Sequence, residues 1–139
     1  MGLGIYESQC AQKSCSKLET PFFGATKVKC FGGKKSGNLY QLSFPIEPPG
    51  MSDWTDEQLA GLYRQTVDQI AEAYKVPPTE SDGAYKTAAF RLGDVSITVS
   101  VGMFKGKPRP QTIAKIDIKD ERIAKRIKTQ EPLFDFQAH

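Results

Sequence analysis

Residues 84–104 constrain the fold more than any other part of the chain. Gly93-Asp94 sits between two runs of extended character, Ala84–Leu92 and Val95–Phe104. A two-residue connection of this kind joins antiparallel strands, here through a type II′ turn. In the second run Val95, Ile97, Val99, Val101 and Met103 alternate with Ser96, Thr98, Ser100 and Gly102. Successive strand side chains point to opposite faces, so one face of the hairpin meets a core and the other meets water. Such a hairpin calls for an antiparallel sheet with an apolar element laid on one side.

A helix supplies that element. Glu47-Pro48-Pro49-Gly50 breaks the preceding extended pattern. Thr55 and Gln58 then fit a capping box, and Asp53, Asp56 and Glu57 sit where the helix dipole favours negative charge. Leu59, Leu62, Tyr63, Val67, Ile70 and Tyr74 recur at helical spacing and form one apolar stripe. Lys75 lies near the end, and Pro77-Pro78 prevents continuation.

Further strands are expected at Ala25–Phe31 and Asn38–Ile46, joined by the Gly-rich tip Gly32-Gly33-Lys34-Lys35-Ser36-Gly37. In the second of these Tyr40, Leu42, Phe44 and Ile46 form a period-2 stripe, and Pro45 ends the strand or places it at an edge. Thr79–Gly83 reads as a polar turn. Thr112–Lys119 reads as a strand with Ile116 and Ile118 inward and Lys115, Asp117 and Lys119 outward. Asp120 caps a short basic helix, Glu121–Lys128. The order is ββαβββα: an α+β fold with an antiparallel sheet of about five strands and one long amphipathic helix. Residues 1–20 read as irregular, 21–128 as a single domain and 129–139 as a C-terminal tail.

Several function classes are disfavoured. No apolar run approaches the ~18–20 residues that cross a bilayer, so no membrane role is expected. Met1–Cys15 lacks the basic start and apolar stretch of a secretory signal. The spacing of Cys10, Cys15 and Cys30 offers zinc no fourth ligand beyond the terminal His139 or a carboxylate. An odd cysteine count argues against a disulfide framework. Free thiols in a reducing, cytoplasmic setting are expected, with no metal and no cofactor. His139 is the only histidine, and no nucleophile elbow, Walker loop or Rossmann fingerprint is present. The acidic pairs Glu80/Asp82 and Asp120/Glu121 read as turn and cap residues. These observations point away from an enzyme and leave no catalytic residue to nominate.

The charge distribution carries the functional expectation. The chain holds 19 Lys+Arg and 16 Asp+Glu, but residues 1–50 carry +3, residues 51–83 carry −5, residues 84–128 carry +7 and the last eleven carry −2. Lys27, Lys29, Lys34, Lys35, Lys105, Lys107 and Arg109 cluster on one strand and on two Gly-containing loops that follow Phe31 and Phe104. Basic groups interleaved with aromatics suit single-stranded nucleic acid, the ammonium groups meeting phosphates and the rings meeting bases.

In the tail, Gln130-Glu131-Pro132-Leu133-Phe134 resembles the short peptide by which bacterial polymerases and repair proteins dock on the sliding clamp. There a Gln opens the pentapeptide and a Leu-Phe pair closes it in an apolar pocket. Glu131 departs from the usual Leu. The resemblance covers five residues and implies a protein partner engaged by Gln130, Leu133, Phe134 and the neighbouring Phe136. Alternatively, these apolar residues fold back on the protein's own core. The expected function is a small non-enzymatic nucleic-acid-associated protein of DNA replication or repair. The competing expectation is a protein-binding module or inhibitor acting through the acidic helix face, Asp56, Glu57, Asp68 and Glu72.

Overall fold

A computed structural model describes Leu18 and residues 21–33, 39–83, 85–104, 111–130 and 133–137. Strands β1 (Lys29–Gly33) and β2 (Leu39–Pro45) lead through a short 3-10 turn, Met51–Asp53, into helix α1 (Asp56–Tyr74). Strands β3 (Thr79–Asp82), β4 (Tyr85–Leu92), β5 (Val95–Phe104) and β6 (Gln111–Asp120) follow, then helix α2 (Glu121–Gln130) and strand β7 (Leu133–Gln137). The strands form one sheet in the order β3-β4-β5-β6-β2-β1-β7, with every pairing antiparallel. The α+β architecture and the long helix are as expected, and the sheet gains a strand at each edge. The expected N-terminal segment, residues 1–20, lies outside the described residues except for Leu18, which is buried in the core.

One sheet face, here called inner, packs under α1. Leu42, Phe44, Phe90, Ile97, Val99, Ile116 and Ile118 are fully buried there with Val67 and Ile70 of the helix. The capping box forms: Thr55 N–H donates to Gln58 Oε1 (2.8 Å) and Gln58 N–H to Thr55 Oγ1 (3.2 Å). At the other end Lys75 takes a left-handed conformation (φ 56°) and its N–H closes on the Ala71 carbonyl. Gly93 takes φ +65° in the tight β4–β5 turn, where a side chain would be strained.

Three local expectations change. Thr79–Gly83 is not merely a turn, because Thr79–Asp82 pairs with β4 as an edge strand. All four of its residues are exposed, so no apolar alternation announces it. Tyr40 leaves the stripe of Leu42, Phe44 and Ile46. A bulge between Phe31 and Gly32 skips Tyr40 in the β1–β2 register, and Tyr40 packs against Ala124 of α2 on the outer face. Cys30, fully buried, is disulfide-bonded rather than a free thiol; its partner lies outside the described residues, as do Cys10 and Cys15. The expected argument from free thiols for a reducing compartment is thereby removed. No described helix is long and apolar enough to cross a membrane.

Candidate nucleic-acid interface

The outer sheet face is polar by construction. The alternation that buries Ile97, Val99, Ile116 and Ile118 under α1 turns Ser96, Thr98, Lys115, Asp117 and Lys119 the other way. Register carries the pattern across the sheet: Lys29, Ser43, Asp117 and Thr98 occupy one cross-strand row, and Phe31, Gln41, Lys119, Ser96 and Arg91 the next. Helix α2 leaves β6 directly and folds onto this same face, where Asp120 Oδ1 accepts the Ile123 N–H at 3.0 Å as its cap. Ala124 and Ile123 cover Tyr40 and Phe31. Arg122, Lys125 and Arg126 remain exposed.

Charges on this face are partly balanced. Lys115 Nζ lies 3.4 Å from Asp117 Oδ2, and Lys119 Nζ lies 3.6 Å from Glu121 Oε2. Ser96 Oγ donates to the other Glu121 oxygen at 3.2 Å. The Lys29 ammonium sits 5.2 Å from the centroid of the half-buried Phe31 ring, a cation–π contact. Asp117 Oδ1 is buried and, among the described residues, meets no hydrogen-bond donor. A cleft of about 280 Å³ lies beside this row, lined by Lys29, Ser43, Pro45, Met51 and Lys115 among others.

Of the residues nominated from sequence, the exposed Lys27 and the half-buried Lys29 are described. Lys34, Lys35, Lys105, Lys107 and Arg109 lie outside the described residues. The strands that lead into those two segments diverge. Leu39, which follows the first, lies at the end of the sheet where β6 finishes, because Gln41 pairs with Lys119. Phe104 and Gln111, which flank the second, pair with one another at the opposite end. Ten residues of β6 separate the two ends, about 30 Å of extended chain. The two basic segments therefore do not spring from one corner of the sheet. Among the described residues the fold brings Lys29, Arg91, Lys115 and Lys119 to one face beside the α2 cations. The outward alternation of Lys115 and Lys119 was legible in the sequence, whereas their proximity to Lys29 depended on strand order.

The Gln130–Phe136 segment is built into the fold. Gln130 ends α2, and Leu133–Gln137 pairs with β1 in the register Gly33↔Leu133, Gly32↔Phe134, Phe31↔Asp135 and Cys30↔Phe136. A clamp-docking peptide works as a free extended segment; here its backbone is committed to the sheet edge.

The acidic residues fall on the opposite side. Asp56, Glu57, Asp68 and Glu72 line the exposed surface of α1. Asp68 pairs with Arg64 at 3.8 Å, and Glu72 pairs with Lys75. Among the described residues, no group of three or more His, Cys, Asp and Glu side chains is placed to hold a metal. Comparison with protein-family models, curated proteins and solved structures finds no match to this chain.

Proposed function

We propose that the chain is a small non-enzymatic nucleic-acid-associated protein that lays single-stranded nucleic acid across its outer sheet face. The observation that carries this reading is the division of charge by the sheet. The −5 segment supplies α1 and β3, whereas Lys29, Arg91, Lys115, Lys119, Arg122, Lys125 and Arg126 belong to the other side. A positive face backed by a negative one orients a polyanion before contact. The half-buried Phe31 ring holds the Lys29 ammonium on this face, where it can meet a phosphate. The Thr98 hydroxyl of β5 adds a neutral donor in the same row as Lys29.

The link to replication or repair rested on the clamp-like peptide and gains nothing from a segment paired as β7. Binding of nucleic acid stands without it. Fluorescence anisotropy with a labelled single-stranded oligonucleotide tests the reading. Binding at low salt that weakens about tenfold or more between low and moderate salt supports it. No binding at low salt refutes it.

A further inference from the structure

Cys30 is fully buried in β1 and disulfide-bonded, and the chain has only two other cysteines, Cys10 and Cys15. Whichever of them is the partner, the bridge closes a loop that contains residues 16–29. Four side chains of that loop, Leu18, Phe22, Ala25 and Val28, are buried in the main core. The bridge therefore encloses a core-forming segment, Leu18 with residues 21–28.

The described residues of that segment lie outside every helix and strand. Leu18 N–H donates to the Thr26 carbonyl at 2.7 Å, and Phe22 and Ala25 exchange backbone bonds of 2.8 and 2.9 Å, so these bonds close within the segment. Phe23 takes φ 47°, a left-handed conformation that a bulky side chain keeps only where its surroundings impose it. The hold on the rest of the core is through side chains: the Phe22 ring stacks on Phe44 at 4.5 Å, and Phe23 lies 6.2 Å from Tyr74. Ordering an irregular segment costs backbone entropy. A cross-link lowers that cost by restricting the chain before it folds.

The remainder of the fold has its own support. Val67 and Ile70 of α1 and Phe90, Ile97 and Ile116 of the sheet are buried, and all lie on elements outside the loop.

We propose that the Cys30 disulfide is a redox latch: oxidised, it holds the segment against Phe44, and reduced, it lets the segment undock while α1 and strands β4–β6 stay folded. A dithiol opens the latch. One of its thiolates attacks the bridge to give a mixed disulfide, and its second thiol displaces the remaining sulfur. The dithiol leaves as a cyclic disulfide, and Cys30 and its partner take up two electrons and two protons as thiols. Undocking uncovers a face of the Phe44 ring, which is fully buried in the oxidised chain. The latch acts on the inner side of the sheet and does not depend on nucleic-acid binding.

The test begins with alkylation of the full-length chain in denaturant, read by mass. One label is expected before reduction with dithiothreitol and three after it; three labels before reduction overturn the proposal. Amide exchange is then compared for the oxidised chain, the fully reduced chain and Cys10→Ser/Cys15→Ser, which removes the bridge whichever the partner is and keeps Cys30 in the core. Reduction and the double variant are each expected to cut protection of the Leu18, Phe22 and Ala25 amides by about tenfold or more, leave the β5 amides protected and lower Tm by about 5 °C or more. Unchanged protection of the three amides in either form overturns the latch. So does loss of protection throughout, β5 included, which would make the bridge a condition of the whole fold.

Discussion

The Tyr63 hydroxyl donates to Glu80 Oε1 at 2.7 Å and so ties the buried side of α1 to the outermost strand of the sheet. Burial and then this bond push Tyr63 up to about 12. The same bond, followed by the Arg64 contact, lowers the pKa of Glu80. An edge strand with no apolar residue is held mainly by polar contacts to α1 and by its pairing with β4.

Tyr63→Phe removes that donor and its contact with the Thr87 carbonyl. The expected cost is about 1–2 kcal/mol in urea denaturation, with β3 amides exchanging faster than those of β5. Unchanged protection of β3 would show that backbone pairing with β4 alone holds the strand.

Acidification tests the same contact from its other end. Folding lowers the Glu80 pKa, so the unfolded chain takes up the proton first. The stability advantage of wild type over Glu80→Gln is expected above the ordinary carboxylate range and should vanish as pH falls through the depressed value. Thermal unfolding of both chains across that window measures it. An advantage that persists at the acidic end contradicts this assignment.

Among the described residues Asp117 is the one acid in the row of Lys29, Ser43 and Thr98, and its Oδ1 is buried with no donor among them. Asp117→Asn removes a negative charge and supplies an amide that can bond its neighbours. Oligonucleotide affinity is expected to rise severalfold in anisotropy titrations, with stability equal to or above that of wild type. A fall in affinity would show that Asp117 contacts the ligand or positions Lys115.

Truncation after Gln130 removes β7 and leaves β1 as an open edge. A drop in Tm of about 5 °C or more is expected by calorimetry. Unchanged stability would mean that β7 contributes little to the fold and would favour a recruiting peptide.

The helix, the β4–β5 hairpin and the inward faces of β2 and β6 were legible because burial imposes a period on apolar residues. The two edge strands were not. Thr79–Asp82 has no apolar residue to alternate, and Leu133–Gln137 offered a short linear resemblance that masked its pairing with β1. Tyr40 departs from its apparent stripe because a bulge shifts the period by one, and a bulge has no composition of its own. The outward lysines of β6 were visible as outward. Their gathering with Lys29 followed from the order β5-β6-β2-β1, which non-local pairing decides. The same non-local order sends the strand ends leading to Lys34 and to Lys105 to opposite ends of the sheet.

The most direct test of the outer-face assignment is a comparison of two charge reversals in one oligonucleotide titration at low salt. Lys29→Glu/Lys119→Glu alters the outer face, and Asp56→Lys/Glu57→Lys alters the exposed start of α1. The first is expected to weaken binding by about tenfold or more and to flatten its salt dependence, while the second leaves affinity the same or somewhat higher. Equal binding by wild type and the outer-face variant would contradict the assignment.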